Sequence, residues 1–252
     1  MASVMWKELT APELNQLAKA DALVVLPVGS MEQHGPHLAV GVDTYLCEGV
    51  CRLAARRAGP GRCVVAPTFW VGMAEHHMAM GGTFTLDIPT YRAVLLCLLR
   101  SIERHGFRRV LIVNGHAGNI AALTAFLPDF ARETRLAVRA LSYFDLAKPE
   151  IAAVLERQTG VMHACEMETS MMMALQPDEV RPDRLAEAHG MLGADSGTLI
   201  RPVVAQYRSF ETMTPSGVIG DARVASQAKG ETLVEVCVAA LAALIAESEG
   251  QS

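Results

Sequence analysis

The run Ala22 to Val28 (ALVVLPV) is apolar at every position and is closed by Gly29, and three further short apolar runs follow it along the chain, each leading through a loop into helical periodicity. A run of this length, rich in β-branched residues and bounded by Pro and Gly, reads as a strand buried on both faces. The expected strands are Ala22–Val28, Cys63–Pro67, Val110–Asn114 and Leu136–Ser142. The expected helices are Pro12–Lys19, Asp43–Arg57, Pro89–His105, Asn119–Arg132, Pro149–Gln158, Glu166–Leu175 and Ala225–Ser248. Alternation of this kind builds a mostly parallel sheet covered by helices on both faces, because crossovers between parallel strands are right-handed. Between Arg184 and Arg223 the pattern weakens into sequence rich in Gly, Pro and Ser, expected to elaborate the cleft or a subunit contact.

The chemistry gathers at the ends of these strands, where open α/β sheets place their ligands. After the first run comes Gly29-Ser30-Met31-Glu32-Gln33-His34-Gly35-Pro36-His37, and then Asp43. Glu32 and His34 are two apart, so in extended chain both project to one side. With Asp43 they form a set of two carboxylates and an imidazole suited to zinc, manganese or iron(II). The third strand ends in Asn114-Gly115-His116-Ala117-Gly118-Asn119, which brings a second histidine to the same edge. In a third cluster, His163-Ala164-Cys165-Glu166-Met167-Glu168-Thr169-Ser170, His163 and Glu166 lie side by side if a helix begins near Ala164, and face opposite ways in a strand.

GSMEQHGPH, NGHAGN and HACEMETS, in this order, resemble the creatininase family over most of the chain, from about Leu23 to the VIGDA segment near Asp221. The resemblance implies a three-layer α/β/α sandwich, a homohexamer and two divalent metals bridged by a carboxylate and a water. Carried over by position, Glu32 binds the first metal, His34 the second, Asp43 bridges them and His116 completes the first site. Creatininase has a glutamate two residues after the histidine of its NGH motif, where this chain has Gly118. Glu166 is therefore expected to complete the second site, and Glu168 to lie near it as a support or a ligand. His163 matches the histidine that protonates the leaving nitrogen. Glu75 and His77, in a segment similar to the family's EH…GT loop, are expected near substrate. His37 is expected to orient a ligand, and Asn114 belongs with these supporting or substrate-contacting groups. The tryptophans that hold creatinine come from the later half of that enzyme, whereas the tryptophans here are Trp6 and Trp70, which argues against creatinine itself.

The expected function is thus a binuclear metal-dependent amidohydrolase, with zinc in one site and zinc, manganese or iron(II) in the other, opening a C–N bond of a small cyclic amide, amidine or formamide. The alternatives are a relative that trims a peptide in cofactor maturation, a metal-dependent lyase or isomerase, and a binding protein that kept the fold. A length of 252 residues with 51% hydrophobic content fits one domain spanning residues 1–252. The net charge of -5 and the lack of a basic stripe speak against nucleic acid as a partner. The longest apolar stretch, Val236 to Ala246, is too short for a bilayer, and MASVMWKELTAPEL lacks the apolar core of a secretion signal. Six cysteines without C-x-x-C spacing fit reduced thiols in a cytoplasmic protein. No G-x-S-x-G elbow or phosphate-binding G-x-x-x-x-G-K-[ST] loop is present.

Overall fold

The computed structural model describes residues 3–191 and 206–247. Its centre is a parallel sheet of β1 (Leu23–Val28), β2 (Cys63–Val65), β3 (Arg109–Asn114) and β4 (Ala137–Ser142), in the order β2-β1-β3-β4. All six residues of β1 are buried, as its unbroken apolar sequence requires of an inner strand. Pro27 sits within β1 without cost, because its absent N–H faces the side of β2, which has already ended at Val65. Its carbonyl accepts instead from the Phe69 N–H beyond that end. The expected second strand stops two residues before Pro67, a residue with no ladder donor to offer.

Seven of the helical segments are α1 (Ala11–Lys19), α2 (Val42–Ala58), α3 (Ile88–Arg104), α4 (Ile120–Glu133), α5 (Lys148–Val154), α6 (Glu166–Leu175) and α7 (Phe210–Met213), the last a single turn. A long α8 (Gln227–Glu247) follows. The pleat divides the strand side chains between two cores. Leu23, Val25, Leu111 and Val113 pack with α2, α6 and α8, whereas Val24, Leu26, Val110 and Ile112 pack with α3 and α4. Helices thus cover both faces, giving the expected α/β/α layering.

The helices match expectation within a few residues except at α5, expected to reach Gln158 but ending at Val154. The N–H groups of Glu156 and Arg157, which a longer helix would bond internally, donate to the Glu166 carboxylate at 3.0–3.1 Å. The weakly patterned region is described in part, with short 3-10 turns at Pro182–Glu187 and Ala222–Val224 around α7, and its remainder, residues 192–205, lies outside the described residues. So does Ser248, the expected last residue of the terminal helix.

The connection from β1 runs through α2 on one face, whereas those on either side of β3 run through α3 and α4 on the other. Strand order therefore reverses between β1 and β3, and the crevice outside their carboxyl ends is where such sheets bind ligands. Both of the first two polar clusters leave the sheet at this crevice.

Candidate metal centre

Glu32 and His34 stand on the loop after β1, Asp43 in the first turn of α2, and His116 just beyond β3. All four are buried, at 1–4% exposure. Their polar atoms converge: His34 Nε2 lies 3.3 Å from Asp43 Oδ1, and His116 Nδ1 lies 3.1 Å from both Glu32 Oε2 and Asp43 Oδ2. Glu32, His34 and Asp43 each offer a ligand atom within 4.8 Å of the others. Second contacts fix the rings and carboxylates, as around metal sites. His34 Nδ1 donates to Glu32 O at 3.1 Å, and Ser30 Oγ donates to Glu32 Oε2 at 2.8 Å. Asn114 frames His116 from both sides, accepting from its N–H and donating to its carbonyl.

A buried polar atom without a partner is costly and rare. Yet Glu32 Oε1, His34 Nε2 and Asp43 Oδ2 make no hydrogen bond, although charged neighbours lie within ion-pair distance. The distances are short but lack the directions of hydrogen bonds, so the ligand atoms crowd together without satisfying one another. Ligands gathered for a cation crowd in this way, and two carboxylates with two imidazoles match the donors that hold zinc or manganese.

The electrostatics agree. Burial pulls the His34 imidazole down, but Asp43, Glu168 and Glu32 outweigh it and hold it up at about 9. His116 is likewise raised against burial by Glu32 and Asp43. Burial lifts Glu168 to about 7, with Asp43 and Glu32 adding to the rise and His34 opposing it. Three carboxylates in one dry space demand positive charge, and a bound divalent cation would supply it in place of the protons on His34 and His116.

Glu166 does not join this cluster, and the expectation that it completes the second site is corrected. Its fully buried carboxylate accepts from Lys229 Nζ at 2.6 Å and from the Glu156 and Arg157 N–H groups. It faces α8 and the end of α5 and has no capacity left for a metal. Glu168, two residues on, lies toward the centre, where its charge acts on His34, and its Oε2 also accepts from the Cys165 N–H. Glu75 is exposed and its side chain is not part of the centre. His37 is buried but spends Nε2 on Thr169 Oγ1 at 2.7 Å, so it braces α6 and not a ligand.

His163 and His77 do reach the site. His163 Nδ1 lies 3.6 Å and His77 Nε2 3.2 Å from Glu32 Oε1. Ala164 takes a left-handed backbone (φ 52°) beside His163, which turns the chain between that ring and the start of α6. Burial and the neighbouring His34 hold His163 well below the usual histidine range, and burial with His163 does the same to His77.

Three contributors were not among the residues expected from the sequence. Gln33 sits between His77 and His163. The Phe210 ring of α7 lies tilted at 3.9 Å from His77 and edge-on at 4.7 Å from His163, centroid to centroid, walling the centre with apolar surface. His76 lies stacked on His116 at 5.8 Å, beside Gly118. A Cβ on Gly118 would lie 2.3 Å from His116 Nε2 and 2.7 Å from Met73 O, so this position is closed to any side chain.

The sequence model of the Creatininase family, described as creatinine amidohydrolase, matches residues 7–245. Creatinine amidohydrolase of Pseudomonas putida is 32% identical over 98% of this chain and 96% of its own. The mycofactocin precursor peptide peptidase of Mycobacterium ulcerans is 29% identical over 93% of this chain and 90% of its own. Among solved structures, a creatininase variant in a Zn-Zn form superposes with a TM-score of 0.81 at 29% identity, covering 100% of both chains.

Proposed function

The chain belongs to the creatininase family of C–N hydrolases, and on that premise we propose that it holds two divalent metal ions and hydrolyses a small cyclic amide, amidine or formamide. The observation that carries this reading is the buried group of Glu32, His34 and Asp43, whose ligand atoms lie within 4.8 Å of one another and which leaves His34 Nε2 and Asp43 Oδ2 without a hydrogen bond. Glu32 and His116 would hold the first ion, His34 and Glu168 the second, and Asp43 would serve both. Bound there, the ions would acidify a water toward neutrality and polarise the substrate carbonyl.

The chain's own residues do the rest. His163, kept neutral by burial, presents Nδ1 to the cleft as a proton acceptor. It takes the proton released as water oxygen bonds to the carbonyl carbon, and returns it to the nitrogen as the C–N bond breaks. Without that proton the amide nitrogen is a poor leaving group. Phe210 covers the histidines and excludes bulk water, which strengthens each of these polar contacts. Trp6 packs on Phe107 and Trp70 on Phe84, and neither ring is among the contacts of the centre, so the flat-ring clamp expected for creatinine is absent among the described residues.

Elemental analysis after mild purification should find about two divalent ions per chain, and Asp43→Ala should empty both sites. A screen of small amides and lactams with the metal-loaded protein should find turnover that chelation abolishes. A folded protein that holds no metal and does not respond to zinc, manganese or iron would refute the reading. Turnover of a short peptide but of no small amide would replace the substrate class.

A further inference from the structure

We propose that Gln33 is a positioning residue that fixes the tautomers of His77 and His163, setting the proton of each ring on Nε2 and leaving each Nδ1 bare. The hydrogen bonds around its amide leave one consistent assignment. Gln33 Oε1 accepts from the Gly35 N–H at 3.0 Å, and Nε2 lies 3.2 Å from the Gly217 carbonyl. Turning the amide over would set oxygen against oxygen at Gly217 and donor against donor at Gly35, so the orientation is determined by its neighbours. The seat is tight on that side, since a Cβ on Gly217 would lie 2.2 Å from Gln33 Oε1.

Nε2 carries two hydrogens. One goes to Gly217 O and the other to His77 Nδ1 at 3.0 Å, which must then be the bare nitrogen of that ring. The His77 proton therefore sits on Nε2, the atom 3.2 Å from Glu32 Oε1. His163 Nε2 lies 2.8 Å from the Gln33 backbone carbonyl, which can only accept, so this nitrogen is protonated and Nδ1 is bare. The 2.9 Å approach of Gln33 Nε2 to His163 Nε2 is then a contact between two donors whose hydrogens point elsewhere. The opposite assignment would leave the Gln33 carbonyl facing a lone pair and His77 Nδ1–H facing an amide nitrogen that has none.

Two consequences follow. The group of Glu32, His77 and His163, whose ligand atoms also lie within 4.8 Å of each other, is not a third cation site, because His77 Nε2 carries a proton where a ligand needs a lone pair. In addition, the bare Nδ1 of His163 that the proposed reaction uses is presented by residue 33. Only that second consequence rests on the hydrolase reading.

The test is long-range 1H–15N correlation of histidine rings in protein labelled with 15N-histidine, stripped with EDTA and then loaded with zinc, with His77→Gln and His163→Gln used to assign peaks. Both rings should be neutral Nε2–H tautomers. In Gln33→Glu the new carboxylate accepts only, so His77 Nδ1 should become protonated. Should that variant fail to fold, Gln33→Met removes the donor, and His77 should divide between tautomers. A wild-type His77 bearing its proton on Nδ1, or an unchanged Nε2–H signature in the folded Gln33 variant, overturns the proposal. Failure to bind zinc would refute the metal centre and leave the tautomer result standing.

Discussion

Two glutamates of one helix turn are separated by what faces them, and substituting each should give opposite phenotypes. Glu166 accepts from one ammonium and two backbone N–H groups in a fully buried setting. Glu166→Gln replaces an acceptor oxygen with an NH2 that meets one of those donors and strands it. Breaking a buried ion pair costs about 3–5 kcal/mol. Lys229 keeps a second partner in Glu156 Oε1 at 2.6 Å, so the low end, about 3 kcal/mol, is expected. For a chain of this size that lowers Tm by roughly 6–12 °C. The loss should persist in EDTA-stripped protein, with metal content unchanged when loaded. Glu168→Gln should instead bind about one ion per chain, since an amide is a weak ligand. Stripped of metal it should be no less stable than the parent, because it removes a buried negative charge beside Asp43 and Glu32. Elemental analysis paired with thermal melts reads both effects. If Glu166→Gln loses an ion at unchanged Tm, or Glu168→Gln keeps both ions, the division of labour is wrong.

Gly118→Ala places a methyl in a space bounded at 2.3 Å by the His116 ring and at 2.7 Å by a backbone carbonyl, so it should displace His116 and weaken zinc binding by tenfold or more, the scale of disturbing a ligand's support; wild-type affinity by competition with a fluorescent chelator would contradict this. His37 is held near 4 by burial and by His34, against 6.5 for an unperturbed ring. A depressed folded-state value adds stability that is complete above 6.5 and is lost as pH falls toward 4, worth at most about 3 kcal/mol. Urea melts of EDTA-treated protein should therefore show stability falling across that window, and His37→Asn should flatten the fall; an unaltered slope would exclude His37 as its source.

The sheet and the buried polar cluster at its strand ends were legible because they are local. Apolar runs specify β1 and β3, and the residues just past their ends must face the crevice between them. The choice between Glu166 and Glu168 was not local. Helical periodicity puts the two carboxylates on different faces of α6 and does not say which face meets the site, and that depends on Lys229, far along the chain on α8. The early end of α5 was hidden for the same reason, since the acceptor for its next N–H groups lies on α6. Gln33 stood inside a recognised motif, but an amide's role depends on which groups surround it in space. Phe210 came from a stretch without periodicity, where sequence offers no face to assign.

The stacking of His76 on His116 beside Gly118 limits how this centre could be altered by stepwise substitution. A carboxylate side chain placed at residue 118 would need the volume now bounded by the His116 ring, the Met73 carbonyl and the His76 ring. Such a change made first collides with them, whereas a smaller residue at 76 made first clears the His76 ring but leaves the carbonyl, which moves only with its loop. Were a carboxylate from the loop after β3 to serve this centre in place of one from α6, coupled changes on two loops would be required, and no single substitution in this chain would supply them.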